Sequence, residues 1–314
     1  MQLRRAFHRV AEILRQKPWS LSIALGLMLF FLPHPDWHGD LHNFREEADT
    51  LWHPYWAKWL FTLLRLPPEP VAYLLLSLTC IAMLYFALRV FGGRHWMVFT
   101  SFAFAWTLIY GQIDALVVGG LALAWWAVQE KRPVWLGAGL VLASLKPHLA
   151  LPLGLLLWWW SPSRLKSLIV PAVVLALSLL TYGFWIPEWI ERLQDISYLT
   201  ELTRNLSIHT ETGYWIWLVW PLVLALPLER PRKLVAVAAT TALTMPYFPL
   251  PSAVLFLVMP VPAWLYWLLQ VPALGGWLGY WLYLPMKIAP PLLLLWAAYP
   301  LLRARFFASQ KLER

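Results

Sequence analysis

The sequence predicts an all-α protein embedded in a membrane, and three observations predict it. Of the 314 residues, 60% are hydrophobic, and the mean hydropathy is +0.59; soluble domains run at roughly 45–50% apolar. The charges are missing from long stretches: Trp96 to Val128 carries only Asp114, and Val134 to Trp160 carries only Lys146. A helix needs about 20 apolar residues to cross about 30 Å of hydrocarbon, so runs of this kind read as membrane segments. Finally, the net charge of +9 is sorted along the chain. Arg4, Arg5, Arg9, Arg15 and Lys17 precede the first apolar run, whereas Asp36, Asp40, Glu46, Glu47 and Asp49 follow it. That alternation is the positive-inside pattern, which assigns the basic clusters to cytoplasmic loops and removes the reason to expect a nucleic-acid partner.

The elements follow in order. Residues 1–17 form a basic cytoplasmic lead-in, and Pro18 to Phe31 is the first membrane helix. It resembles a signal peptide, yet no small-x-small cleavage site follows, so it reads as a retained helix. Residues 34–69 form a first outer loop, broken by Pro33, Pro35 and Gly39. Within it, His53 to Leu66 has an aromatic face with Lys58 and Arg65, as suits a helix lying in the interface. Pro70 to Val90 crosses back to Gly92-Gly93-Arg94.

Two half-spanning hairpins come next. Val134 to Lys146 gives about 18 Å of helix, short of a crossing, and His148 to Trp160 gives about the same. If both arms turn at Pro147, Lys131/Arg132 and Arg164/Lys166 lie on one side, as the charge rule asks. Trp96 to Tyr110 and Ile113 to Val128 form a similar pair turning at Gly111. Lys166 to Ile186 then returns outward to a second outer loop, residues 188–212, which is rich in acids. Gly213 to Leu228, Leu234 to Tyr247 and Ser252 to Gln270 are further crossings. Leu274 to Leu302 is one broken helix or a last hairpin. The expectation is a single multi-pass domain over residues 1–314, in the cell membrane, with its N-terminus cytoplasmic and roughly ten to twelve hydrophobic segments. A single cysteine, Cys80, excludes an internal disulfide.

The polar residues left unexplained gather toward the outer face: Asp36, Asp40, Gln112, Asp114, Lys146, His148, Asn205, Ser207 and His209. An ionisable group at bilayer depth costs about 2.5 kcal/mol or more, and usually marks a pathway or a site. A carboxylate, a buried amide and a buried cation can bind a sugar and a phosphate and remove a hydroxyl proton. Plainer readings stand beside this one. Lys146 can snorkel to the interface, and Asp114 with Lys146 can form a structural ion bridge between the hairpins. His34, Asp36, His38, Asp40 and His42 alternate as potential metal ligands on a strand, though Pro35 and Gly39 disturb that geometry.

These motifs resemble a known group. Gly39-Asp40-Leu41 with Phe44, then Pro54, Tyr55 and Trp59, is similar to the first outer loop of GT-C membrane glycosyltransferases. Gly111-Gln112-Ile113-Asp114 resembles the Gly-Gln-x-Asn element of glycosyltransferase family 87, formerly a domain of unknown function. Gly137-Ala138-Gly139-Leu140 before Lys146-Pro147 resembles its Ala-Gly…Lys-Pro element, and Asn205-Leu206-Ser207 its Asn-x-Ser. The sequence departs from the family by carrying Asp114 where Asn is commoner. It also has Met245-Pro246-Tyr247-Phe248-Pro249 where members often have Ser-Pro and a nearby His.

The resemblance implies a GT-C-like bundle and a polyprenyl-phosphate-sugar donor, typically carrying mannose, used on the outer face. It implies Asp40 as catalytic base, with Asp36 as the rival carboxylate. Lys146, with His148, would meet the donor phosphate, and Gln112, Asp114, Asn205 and Ser207 would bind sugar or acceptor. The expected partners are the bilayer, the lipid-linked sugar and a lipid or glycan acceptor. The leaving group is stable as a phosphate, so neither a nucleotide nor a divalent metal is required. The competing functions are a transporter or flippase, with Asp114 and Lys146 as a midplane site, and a non-catalytic scaffold of envelope synthesis.

Overall fold

Proline and glycine set the lengths of the helices. A computed structural model describes residues 18–46, 53–194, 205–271 and 284–312, and among these every regular element is helical. The lone extended pairing is an isolated bridge between Asn205 and Pro249. The basic lead-in and the acids Glu47, Asp49, Asp195 and Glu201 lie outside the described residues. The main helices are α1 (Pro18–Phe31), α2 (Gly39–Glu46), α3 (Ala57–Arg65), α4 (Glu69–Phe91), α5 (Phe102–Tyr110) and α6 (Asp114–Gln129). They continue with α7 (Pro133–Ala143), α8 (Pro147–Trp160), α9 (Ile169–Tyr182), α10 (Arg230–Thr244) and α11 (Leu284–Leu312).

The expected count of ten to twelve spanning segments is not confirmed. Among the described residues, two helices are long and apolar enough to cross a membrane by themselves, Glu69–Phe91 and Arg164–Tyr182, and three if the bent pair α5–α6 counts as one. Breaks inside the apolar runs are the reason. Trp96 to Tyr110 splits at Thr100-Ser101, where the Ser101 hydroxyl accepts from the Phe104 amide at 3.0 Å and caps α5. Ser252 to Gln270, expected as one crossing, is cut into Leu250–Ala253, Val254–Leu257 and Ala263–Gln270, because Pro260 and Pro262 stop the helix. By contrast, α11 continues through Pro290, Pro291 and Pro300.

Packing around α6 forms the centre. Gly120 of α6 and Gly139 of α7 let the two backbones touch: a Cβ on Gly120 would stand 2.6 Å from the Ala143 amide, and one on Gly139 2.6 Å from the Gly120 carbonyl. Gly119 opens the opposite side of α6 to Met83 of α4. Helix α10 is buried along most of its length. Its Lys233 ammonium gives hydrogen bonds to the carbonyls of Val223, Leu224 and Leu226, which close the preceding helix. The outward surface is apolar, with Leu165 81% and Leu180 83% exposed, as fits a hydrocarbon surround better than water.

Both hairpins exist as turns in space. The axes of α5 and α6 bend by 117° across Gly111. Gly111 adopts φ +64, its amide bonds the Leu108 carbonyl and the Gln112 amide the Thr107 carbonyl, which is a Schellman closure. Helices α7 and α8 fold back so that Gly154 packs on Leu140, each seven residues from Pro147. A straight helix would hold those two about 21 Å apart.

Candidate active site

The Lys146 turn follows from its sequence. A residue before proline is pushed out of the helical region, and Lys146 takes φ −126, ψ 87. Pro147 then starts α8 at the position where a missing N–H costs nothing. The lysine side chain is buried, and its Nζ donates to Asp114 Oδ2 at 2.6 Å and to Gln112 Oε1 at 2.6 Å. Those acceptors sit on the Gly111 turn, so one ion pair joins the two hairpins. Asp114 has no exposed surface, and its other oxygen accepts the Ser252 hydroxyl. Among the described residues, the third ammonium proton of Lys146 has no acceptor.

Asp40 lies within reach of the charges of this group, on a helix positioned by shape. Leu41 lies on Gly111, where a Cβ would come within 2.6 Å of the Leu41 Cβ, and Gly39 faces the Tyr110 ring. Arg45 ties the far end of α2 to the Pro67 carbonyl at 2.8 Å and to the Leu64 carbonyl. Burial pushes the half-buried Asp40 carboxyl up to about 6; Lys146 pulls it down and Asp114 raises it further. Asp36 is exposed on the turn Pro35–Trp37. The five residues that alternate as potential ligands are dispersed by helical geometry. His34 stacks on Trp37, His38 bonds the Phe31 carbonyl at 3.1 Å, and His42 pairs with Glu46 at 3.0 Å. No three of His, Cys, Asp and Glu converge among the described residues.

The remaining expected residues divide. His148 stands in the same turn as Lys146, its Nε2 buried without a partner, and its ring is 5.7 Å from that of Tyr247. An imidazole thus stands beside the Met245–Pro249 turn, supplied from another hairpin. Asn205 and Ser207 bond within the protein. Asn205 Nδ2 donates to the Pro246 carbonyl at 2.7 Å, and its Oδ1 accepts from the amides of Phe248 at 2.8 Å and Ser207 at 3.1 Å. The Ser207 hydroxyl donates to the Leu243 carbonyl at 3.0 Å and accepts from the His209 amide. Both side chains fasten the second loop to the turn after α10. Lys287, of α11, pairs with Glu211 at the end of that loop.

Sequence reasoning missed two residues of the cluster. Ser252 lies 138 positions from Asp114 in a Pro-rich stretch with no distinguishing pattern. His53 bonds the Leu145 carbonyl through Nδ1 at 2.6 Å, directly before the lysine. A histidine ahead of Pro54-Tyr55 is the only signal the sequence offered for it.

A cavity of about 500 Å³ lies beside the Lys146 turn, lined by the flanking Ser144 and Pro147. Pro54, Ser144 and Pro147 line its head, and Leu155, Val174 and Leu175 continue it between α8 and α9. Trp185 stacks on Tyr55 at 5.2 Å, and Tyr55 hydrogen-bonds Glu188, so the first loop and the segment after α9 meet at the same end. The arrangement offers a carboxyl that burial raises to about 6, a buried cation with a spare proton, and an apolar groove against the turn that carries the cation.

Set against known protein families, residues 53–250 match the model of glycosyltransferase family 87. The match holds Gln112, Asp114, Lys146, His148, Asn205 and Ser207, and it begins after Asp36 and Asp40. No curated protein and no solved structure matches the chain.

Proposed function

The chain belongs to glycosyltransferase family 87 and is a glycosyltransferase with membrane-type helices; from that premise we propose that it moves a hexose, mannose first among candidates, from a polyprenyl-phosphate donor to a lipid or glycan acceptor of the cell envelope. The reading sets it in the cell membrane as a multi-pass protein with the chemistry at the outer face. Asp40 takes the proton of an acceptor hydroxyl. The freed oxygen attacks the anomeric carbon from the side opposite the phosphate, inverting it. The carbon–oxygen bond to phosphate breaks, and polyprenyl phosphate leaves with the electron pair.

One observation carries the reading: Asp40, its carboxyl raised to about 6, lies within reach of the Lys146 charge, and Pro147, next to that lysine, lines an apolar groove. A base works best with a pKa near the operating pH. The Asp114–Lys146 pair is neutral as a unit, so attraction for a phosphate comes from the remaining ammonium proton and the positive N-terminal end of α8. The groove suits an isoprenoid chain, whose surface is wholly apolar.

The same buried pair, lying between broken helices, is what a carrier of lipid-linked sugar would use. Purified protein in liposomes, supplied with labelled polyprenyl-phosphate mannose and candidate acceptors, separates the two. Label on an acceptor, with released polyprenyl phosphate, is the expected result. Donor that crosses the bilayer unchanged favours the carrier, and neither outcome leaves the scaffold.

A further inference from the structure

We propose that His53 reads a sugar hydroxyl, accepting a hydrogen bond at Nε2 from the hexose or the acceptor sugar; this rests on the transferase reading above. The tautomer follows from the geometry. The Leu145 carbonyl, 2.6 Å from Nδ1, can only accept, so Nδ1 carries the proton and Nε2 holds a lone pair. Burial and the neighbouring Lys146 ammonium depress the imidazole to about 4, which keeps it neutral at working pH.

The ring is rigidly placed. Phe44 and Phe61 meet it edge-on, with centroids 5.7 Å and 5.3 Å away. Its chain neighbour Pro54 lines the head of the groove, and the carbonyl it bonds belongs to the peptide that leads into Lys146. Nε2 has no partner among the described residues, and the residue is half-buried. Among the other acceptors of the cluster, Gln112 Oε1 and Asp114 Oδ2 face the ammonium, and Asp114 Oδ1 faces Ser252. A neutral acceptor in a rigid ring, next in the chain to a residue that lines the groove, suits a hydroxyl donor. A site built to bond a hydroxyl rejects the analogue that lacks it.

Two variants separate this role from that of a strut. His53→Asn keeps an N–H where Nδ1 stands and loses the acceptor; His53→Gln keeps an acceptor near Nε2 and loses the strut. Each is assayed in liposomes with polyprenyl-phosphate mannose, its monodeoxy analogues, and monodeoxy acceptors. The Asn variant is expected to melt as wild type does, with KM raised roughly three- to tenfold for one substrate. That penalty vanishes for the single deoxy analogue missing the contacted hydroxyl. Whether the analogue is a donor or an acceptor tells which sugar His53 touches. An Asn variant with wild-type kinetics, or a penalty equal for every analogue, overturns the proposal. Should the Asn variant fail to fold, the Gln variant decides: it retains the deoxy discrimination of wild type, and losing it overturns the proposal. Wild-type protein that moves no sugar overturns the transferase chemistry itself and this inference with it.

Discussion

Lys146 and Asp114 are 2.6 Å apart in the interior, one on each hairpin turn, and each is the other's counter-charge. Neither is supported alone. Removing one partner of a buried pair leaves an unpaired charge and costs about 3–5 kcal/mol, whereas replacing both is often near neutral. Lys146→Met is therefore expected to lower the melting temperature sharply in detergent, as is Asp114→Leu. The double variant recovers most of that loss. On the proposed reading, in which the ammonium meets the donor phosphate, transfer stays absent in Lys146→Met and in the double variant. Recovery of activity together with stability would reduce the pair to a structural bridge.

Asp40 yields a prediction in two variables. As a base it must be ionised, so kcat/KM climbs with pH through an acid limb near 6, the value to which burial raises it. Stability moves the other way. A carboxyl whose folded pKa lies above its ordinary value holds its proton more tightly in the folded state, so stability falls as pH rises between about 4 and about 6. Asp40→Asn should abolish transfer while melting no lower than wild type above pH 6. Asp36→Asn, at an exposed turn, should keep transfer within about twofold. Equal losses in both variants would count against Asp40.

Gly111 is where backbone conformation and the site meet. Its φ of +64 disfavours any side chain, and a Cβ would press on the Leu41 Cβ at 2.6 Å. Gly111→Ala is expected to push α2 away from the turn, carrying Asp40 with it. A displacement of about 1 Å at reacting groups can cost on the order of a hundredfold in rate, so kcat should fall far more than stability does. A variant that unfolds without first losing kcat would show the contact to be structural only.

Much of this site was legible because charge is so scarce. Asp114 and Lys146 stand out as lone ionisable groups in apolar runs, and Pro147 and Gly111 announce the turns that bring them together. The half-length arms followed from counting residues against bilayer thickness. What stayed hidden depended on contacts between distant segments. Ser252 and His53 are ordinary polar residues until folding sets them on Asp114 and Leu145. Asn205 and Ser207 are singled out by the family's Asn-x-Ser, and the sequence gives no sign that their bonds close a loop onto the turn after α10. The number of crossings is not confirmed, because mean apolarity does not register where Pro260, Pro262 and Ser101 stop a helix.

Ser252 supplies the last test, since it acts on the cation only through Asp114. Its hydroxyl takes one carboxylate oxygen and leaves the other aimed at Lys146. Ser252→Ala would leave that oxygen without its donor in a fully buried place, a loss of about 1–3 kcal/mol for a bond to a charged group. The carboxylate can then rotate and loosen its hold on the ammonium. The expected result is a raised KM for the lipid donor, with the acceptor KM unchanged, and partial rescue by Ser252→Thr, which restores the hydroxyl. A merely structural serine would lower the melting temperature without moving the donor KM, and Thr would then restore the former alone. Donor titrations on the three proteins, alongside their melting curves, distinguish the outcomes.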